Sequence, residues 1–441
     1  MRYYIETYGC AANQFDSLLI AQALDENGWT EADLNSADLV ILNTCGVKKP
    51  TEDKILFRLN ELNRMGKNVM VAGCLTRIDP EALQKIGFSV AIDVRSVNRA
   101  AEAAARALRG ARNEFVLSEN QLDKPLLLKR KLTETIGVIE VQEGCAYSCT
   151  YCATKLSRDG LYSFPDSSIV RAASELARKG AREIWLTGQD VAAYRYENRD
   201  LVDLLYELDT IPADFYVRVG MSTPPFFRRI AQRLLSSYPK KAYQFFHLPV
   251  QSGSDRVLMD MKRGYRADLF RELVRMIRSY MPMASVETDV IVGYPTEEEE
   301  DFEMTLRLIE ETRPNVVNIS KYWKRPGTEA AKLKDLDSRI VARRSRAIYE
   351  LVMRIMREEN EKWVGWEGEA VITERGEKEG FKGRNFAYKQ IVIKSSENVL
   401  GRKVRVVVTD ADAINLYARV VEVLDEKEAL EGSRGLRSAV L

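Results

Sequence analysis

Residues 143–152 read Glu-Gly-Cys-Ala-Tyr-Ser-Cys-Thr-Tyr-Cys, which sets Cys145, Cys149 and Cys152 in a C-x3-C-x2-C spacing. The largely apolar run Ile136–Val141 just before them predicts a buried strand, so the three thiols fall in the loop at its end. Three thiolates so close together can wrap one side of a soft metal centre, because sulfur ligands select iron–sulfur clusters or zinc. Structural zinc takes four protein ligands, most often from two C-x2-C knuckles, and no fourth Cys or His lies near this loop. A [4Fe–4S] cluster held by three cysteines keeps one iron open to a substrate or cofactor. Three buried structural cysteines, with no metal, are the plainer alternative.

Histidine chemistry does not accompany the loop. His247 is the only histidine, which leaves little room for His-ligated metals or His-based acid–base catalysis. It reads either as a core histidine bonded to backbone or as a catalytic one. Six cysteines in 441 residues suit ligand roles in a reducing compartment better than a disulfide framework. Residues 1–7 lack the apolar stretch of a signal peptide and no run approaches transmembrane length, so the expectation is a cytoplasmic protein with no membrane partner. Lys+Arg (66) and Asp+Glu (65) nearly cancel, so a nucleic-acid footprint must be a local patch.

The length predicts two or three domains. Strands are expected at 2–7, 38–43, 68–72 and 89–93, with helices at 16–26 (capped by Asp16), 51–65, 82–86 and 98–108. This alternation argues for a doubly wound, mostly parallel sheet. Cys10, Cys45 and Cys74 fall just past the first, second and third of these strands. Ligands gather at the carboxyl ends of such strands, so these loops are expected to build a second three-cysteine site, and no cysteine is left over. Residues 111–134 read as a linker whose basic run, Lys124, Lys129, Arg130 and Lys131, is either solvated or touches nucleic acid.

From 136 onward, strands are expected at 136–142, 183–187, 215–219, 243–247, 285–292 and 315–320, with helices at 167–179, 200–208, 225–236, 266–280 and 297–311. Six β/α units predict an open partial barrel with its chemistry at the strands' C-terminal ends. Gly188, Gln189, Gln251 and Asp289 lie in or near the loops of that rim. A long helix over 340–361 carries the apolar stripe Ile348, Leu351, Val352, Ile355, with Arg343, Arg344, Arg346, Arg354 and Arg357 expected on a solvated face. Short strands at 368–373, 388–393, 403–409 and 418–423 predict a small all-β barrel. Between Arg375 and Arg405 stand nine basic and three acidic residues, interleaved with Phe381, Phe386 and Tyr388. Basic groups for phosphates beside aromatic platforms are how small barrels bind RNA, which singles out Lys382, Arg384 and Lys389.

The order of parts resembles the radical S-adenosylmethionine methylthiotransferases over nearly the whole chain. The resemblance rests on Thr7-Tyr8-Gly9-Cys10, Asn13, Asp16-Ser17, Asn43-Thr44-Cys45 and Gly73-Cys74. It continues through Gly144-Cys145, Cys149, Tyr151-Cys152, the stretches His247–Gly253 and Thr288–Gly293, and Arg325-Pro326-Gly327-Thr328. Ala11-Ala12, Glu143 and Thr296-Glu297 depart from the usual residues and remove no ligand. The resemblance implies an N-terminal cluster-binding domain (1–110), a linker (111–134), a radical SAM domain with its C-terminal helix (135–361), a TRAM barrel (362–425) and a tail (426–441).

It also implies two [4Fe–4S] clusters, one on Cys145, Cys149 and Cys152 and one on Cys10, Cys45 and Cys74, with S-adenosyl-L-methionine on the open iron of the first. Gly188, Gln189, Gln251 and Asp289 are then the expected cofactor contacts. A 5′-deoxyadenosyl radical takes a hydrogen atom from an unreactive carbon, and a methylated sulfur replaces it. The implied partners are a tRNA substrate, an electron-donor protein and a sulfur source. The stretches Asn43–Lys54 and Lys321–Ala331 resemble the archaeal and eukaryotic branch acting on N6-threonylcarbamoyladenosine next to the anticodon. That nucleoside bears a carboxylate, so a cation such as Arg325 or Lys324 is expected near the pocket mouth. The competing readings are an isopentenyl-adenosine tRNA or a ribosomal-protein aspartate as substrate and, outside the enzymes, a zinc-bearing RNA-binding protein. A separable RNA-binding barrel predicts that removing 363–441 weakens tRNA binding and spares S-adenosylmethionine cleavage.

Overall fold

The computed structural model describes residues 1–376 and 380–424; Lys378 of the basic patch and the 426–441 tail lie outside the described residues. Strands β1 (Arg2–Thr7), β2 (Thr30–Glu31), β3 (Leu39–Thr44), β4 (Asn68–Gly73), β5 (Val90–Ile92) and β6 (Glu114–Val116) form a parallel sheet in the order β2-β1-β3-β4-β5-β6. Alternate residues of the central strands feed opposite faces. Leu39, Ile41 and Met70 pack with α1 (Ala11–Asp25) and α5 (Ala100–Leu108), while Val40, Leu42 and Val71 pack with α2 (Lys49–Arg64) and α4 (Pro80–Ile86). Both faces are thus covered, which is why β3 reads as an almost continuous apolar run.

Helix α1 starts earlier than expected. Cys10 occupies its N-cap position, and Asp16 lies inside the helix, buried, with its carboxylate turned to other partners. The expected linker is also more structured than its composition implied, since it supplies β6 and the short α6 (Lys124–Leu127). Its basic run is bound within the protein. Lys124 is buried; Lys129 pairs with Glu26 at 2.7 Å; Arg130 reaches Asp25 at 2.6 Å and Glu31 at 2.8 Å; Lys131 donates to the Lys179 carbonyl at 2.6 Å.

The central strands are β7 (Ile136–Glu140), β10 (Glu183–Thr187), β13 (Tyr216–Val219), β14 (Phe245–His247), β15 (Ser285–Val292) and β16 (Val316–Lys321). They pair in parallel as β13-β10-β7 and β14-β15-β16, with a parallel bridge from Val217 to Ala242 between the groups. Between them lie α8 (Asp166–Arg178), α9 (Leu201–Asp209), α10 (Pro224–Ser236), α12 (Ala267–Tyr280) and α13 (Glu299–Thr312). Short pieces decorate the loops: β8 (Gln142–Glu143) against β9 (Tyr162–Ser163), α3 (Leu75–Ile78), α7 (Thr154–Ser157), β11 (Arg195–Tyr196) against β12 (Arg199–Asp200), and α11 (Asp255–Asp260). The result is the expected half-open barrel, with β16 an edge.

Helix α14 (Ser338–Glu361) buries Ile348, Val352 and Ile355 and packs on β16. One member of its expected solvated face is not solvated: Arg344 is buried, bonding Glu297 at 2.8 Å and Glu299 at 3.0 Å. No helix among the described residues is long and apolar enough to cross a membrane.

The small barrel closes with five strands, β17 (Glu367–Arg375), β18 (Gly380–Arg384), β19 (Gln390–Lys394), β20 (Lys403–Ala411) and β21 (Leu416–Leu424), ordered β17-β18-β19-β21-β20. The unexpected strand is β18, whose Gly-Phe-Lys-Gly-Arg sequence imitates a turn. The barrel seats under the N-terminal ends of the central strands. Thr135 Oγ1 donates to the Thr373 carbonyl (2.6 Å), Gln244 N to the Phe386 carbonyl (2.8 Å), and Lys403 Nζ to Asp214 (2.6 Å).

Tyr388, left-handed at φ 60°, enters between Tyr243 and Phe245 (ring centroids 4.9 Å from each) and bonds Glu183 at 3.1 Å. This corrects the expected RNA face. Arg384 stacks on Tyr388 at 5.0 Å, and buried Lys389 donates to Asn360 at 2.7 Å, so both serve packing, while the Lys382 side chain has no bonded partner among the described residues. Removing 363–441 would therefore uncover Tyr243 and Phe245 beneath the central barrel.

Candidate active site

The C-x3-C-x2-C loop leaves the top of β7 and is folded back by the β8–β9 pairing. Gly144 sits at φ 79°, and a Cβ there would lie 1.5 Å from the Gly160 carbonyl oxygen, so only glycine closes this loop. Donors converge on the sulfurs: Tyr147 N to Cys145 Sγ at 3.4 Å, and Arg263 Nη1 to Cys149 Sγ at 3.3 Å. Arg263 is itself buried and fixed to the Pro249 carbonyl at 3.1 Å. No spacing rule marks Arg263 in the sequence. Burial pushes the Cys145 thiol up to about 11, so a metal must displace its proton on binding.

Cys10, Cys45 and Cys74 follow β1, β3 and β4 and meet above the sheet. Asn13 ties them: its Nδ2 donates to the Tyr8 (3.1 Å) and Thr44 (2.7 Å) carbonyls, and its Oδ1 lies 3.7 Å from both Cys10 Sγ and Cys74 Sγ. Gly9 lets the Cys10 loop approach, since a Cβ there would stand 2.8 Å from Cys45 Cβ. Burial, then the neighbouring Cys74 and Cys10, push the Cys45 thiol up to about 11. Cys45 and Cys74 are buried, and Cys10 is open to solvent.

No three Cys, His, Asp or Glu side chains among the described residues converge as a single metal ion would require. Each set offers three thiols and no fourth cysteine, a donor count that suits a cluster in which each binds a different iron. That donor set fits iron–sulfur better than the zinc of the non-enzyme reading.

The two sets adjoin. Cys74 shares an apolar cluster with Ile78, Val94 and Ala153, the residue after Cys152, and α3 packs on α7. Beside them lies a buried ionic group. Lys124 Nζ bonds Asp16 (2.9 Å), Glu140 (3.1 Å) and Glu143 (2.7 Å), and Arg158 bonds the same three acids. Arg95 adds a third cation to Glu143 at 3.1 Å. The charges balance, which is what lets them stay buried, and losing any one would leave its partners uncompensated. Asp16, read as a cap, works here.

The expected cofactor contacts line or shape the upper lumen. Gln189 Oε1 accepts from Gly144 N at 2.6 Å, and Gly188 packs so closely on Gln142 that a Cβ would lie 2.7 Å from its carbonyl oxygen. Gln251 is left-handed at φ 72° and its N donates to the Asp289 carbonyl at 2.8 Å. Asp289 accepts from His247 Nε2 and Asn318 Nδ2, both at 2.9 Å. His247 thus bonds a carboxylate rather than backbone. Burial raises Asp289, but His247 and Asn318, aided by exposed Lys48, hold it below its ordinary value. Burial lowers His247, and the hydrogen bond and charge of Asp289 outweigh it and raise the imidazole.

Arg325 is not the free cation expected at the mouth. It is buried and bonded to Glu52 of α2, stapling the sheet to the barrel. Lys324 is exposed at the rim.

Comparison with known proteins agrees with this geometry. Residues 139–309 match the radical SAM superfamily, and residues 2–94 match a family described as uncharacterized protein family UPF0004. The chain is 41% identical to the probable threonylcarbamoyladenosine tRNA methylthiotransferase of Methanothermobacter thermautotrophicus, over 92% of this chain and 97% of that one. It is 34% identical to the threonylcarbamoyladenosine tRNA methylthiotransferase of Drosophila melanogaster, over 97% of this chain and 78% of that one. Among solved structures it resembles the radical S-adenosylmethionine methyltransferase TsrM of Kitasatospora setae in fold (TM-score 0.56, 14% identity, 75% of this chain and 74% of that one). The chain belongs to the threonylcarbamoyladenosine tRNA methylthiotransferase family of radical S-adenosylmethionine enzymes.

Proposed function

We propose that the chain converts N6-threonylcarbamoyladenosine, next to the anticodon of tRNA, to its 2-methylthio derivative. The observation that carries this reading is a near full-length likeness to relatives of that name, and the two adjoining three-cysteine sets support it. Cys145, Cys149 and Cys152 would hold one [4Fe–4S] cluster with S-adenosylmethionine, and Cys10, Cys45 and Cys74 a second. When bound, these groups supply reductive cleavage, hydrogen-atom abstraction, and transfer of sulfur and methyl.

The chain's own residues hold, orient and seclude. Arg263 and Tyr147 donate to two of the loop sulfurs and fix their direction. Gly188 and Gln189 keep the cysteine loop in place, and Gln251 and Asp289 present the polar wall against which S-adenosylmethionine would lie. Tyr388 closes the lumen floor against water. Exposed Lys48 and Lys324 stand at the rim, where a carboxylate-bearing base would arrive. Electrons and sulfur come from outside: an electron-donor protein and a sulfur source. A tRNA substrate and six free thiols fit work in the cytoplasm. Residues 1–110, 135–361 and 362–425 act as the cluster, radical and TRAM domains.

Nucleoside mass spectrometry of tRNA from a strain lacking this protein tests the reading. The unmethylthiolated threonylcarbamoyladenosine should accumulate. An unchanged level, with loss of methylthio groups from isopentenyl-adenosine or from a ribosomal-protein aspartate, would sink it.

A further inference from the structure

At the C-terminal ends of β15 and β16, on the side of the half-barrel that β16 leaves as an edge, a cleft opens between Gly293, residues 321–324, Asp335 and the start of α14. Its volume is about 220 Å³, room for a single ring system. Three features set it apart from ordinary surface. Trp323 is 44% exposed, whereas Trp29 and Trp363 are buried and Trp185 and Trp366 half-buried. Lys321, at the end of the edge strand, makes no ion pair among the described residues, and Lys324 only faces exposed Asp335 at 3.7 Å. The Tyr322 hydroxyl is buried with no hydrogen-bond partner.

The segment is held rigidly. Tyr322 N donates to the Val292 carbonyl (2.9 Å), and the Tyr322 ring meets Tyr294 edge-on at 5.6 Å. Arg325 is stapled to Glu52, and Ala330 N donates to the Thr150 carbonyl (2.8 Å) inside the cysteine loop. Trp323 is therefore presented outward by a strap whose other end touches the reaction centre.

We propose that this cleft receives an unpaired nucleotide of the RNA substrate, neighbour to the one being modified. Its base stacks on Trp323 and its phosphate meets Lys321 and Lys324. A ring face beside two cations is how sequence-tolerant single-strand sites are built. This rests on the tRNA reading above. Its consequence is that the target adenosine is drawn from the stack by its neighbour's capture, with no base-edge readout.

The test titrates unmodified tRNA transcript into the anaerobically prepared full chain, reading tryptophan fluorescence and affinity against salt. Wild type should show strong quenching. Trp323→Phe should abolish most of that quenching and keep most of the affinity, because phenylalanine still stacks. Trp323→Ala should weaken binding about tenfold. Lys321→Ala should flatten the logarithmic salt dependence by about 0.7. A wild type that bound no tRNA would end the proposed function and the cleft together. Wild-type affinity in Trp323→Ala, an unmoved salt slope in Lys321→Ala, or quenching that survives Trp323→Phe would end the cleft alone.

Discussion

Cys145, Cys149 and Cys152 are neighbours in the chain, and one loop carries them; Cys10, Cys45 and Cys74 come from three loops and become neighbours only once the sheet has formed. The first set depends on local closure at Gly144 and on donors arriving from elsewhere, Arg263 above all. The second depends on strand order and on Asn13, which bonds carbonyls in two of the loops. Damage to the first should be local and damage to the second should register in the stability of the sheet.

The widest separation comes from removing each set. Reconstituted protein should carry about eight irons, from two four-iron clusters. Replacing Cys145, Cys149 and Cys152 by Ala should leave about half and abolish S-adenosylmethionine cleavage. Replacing Cys10, Cys45 and Cys74 should also leave about half and preserve cleavage. Full iron in either variant contradicts the pairing of sets with clusters.

Backbone strain offers a finer cut. At Gly73, φ 89°, a Cβ would lie 2.3 Å from Asn43 Oδ1 and 2.5 Å from the Thr44 carbonyl oxygen, inside the sheet where nothing can yield. Gly73→Ala should cost about 2–3 kcal/mol and lower the thermal midpoint by several degrees. Gly144→Ala should empty the loop set while moving the midpoint less, because a loop can swing away. Equal midpoint shifts would erase the local-versus-global distinction.

Smaller still are the supporting side chains. Asn13→Ala should weaken iron retention at the dispersed set, and Arg263→Met at the loop set, each about 10–100-fold and each without the other. Chelator challenge followed by iron analysis of the remaining cluster separates them.

The smallest effect belongs to the barrel lumen, at His247 and Asp289. His247 is the sole histidine, so its imidazole resonances titrate without overlap. Its folded value lies above the ordinary 6.5. The stability it contributes is therefore complete below 6.5 and disappears as pH rises through the folded value. Asp289→Asn should bring the titration down; an unmoved titration would remove Asp289 as its cause.

Much of this was legible in the sequence because parallel strands buried on both faces announce themselves, and each cysteine lies in the loop region after a parallel strand. What stayed hidden was long-range pairing of charge. Asp16 looks like a helix cap and Lys124 like a linker cation until the fold brings them within 2.9 Å of each other. Arg344 and Lys389 carry the composition of a surface and are buried for the same reason, a partner from a distant element. Strand β18 escaped because its glycines imitate a turn and its pairing with β17 and β19 supplies what propensity does not.

The seat of the small barrel sets a length scale. It lies at the foot of the central strands, and the cysteine loop and the Trp323 cleft lie at their heads. Strand β15, with eight residues, measures the separation as roughly 25 Å. An RNA that touches both ends must reach along the flank of the protein for at least that distance. A loop oligonucleotide of a few residues would span the head alone, whereas a whole anticodon arm is long enough to reach from one end to the other. The barrel and the head are therefore too far apart for any single nucleotide to bridge.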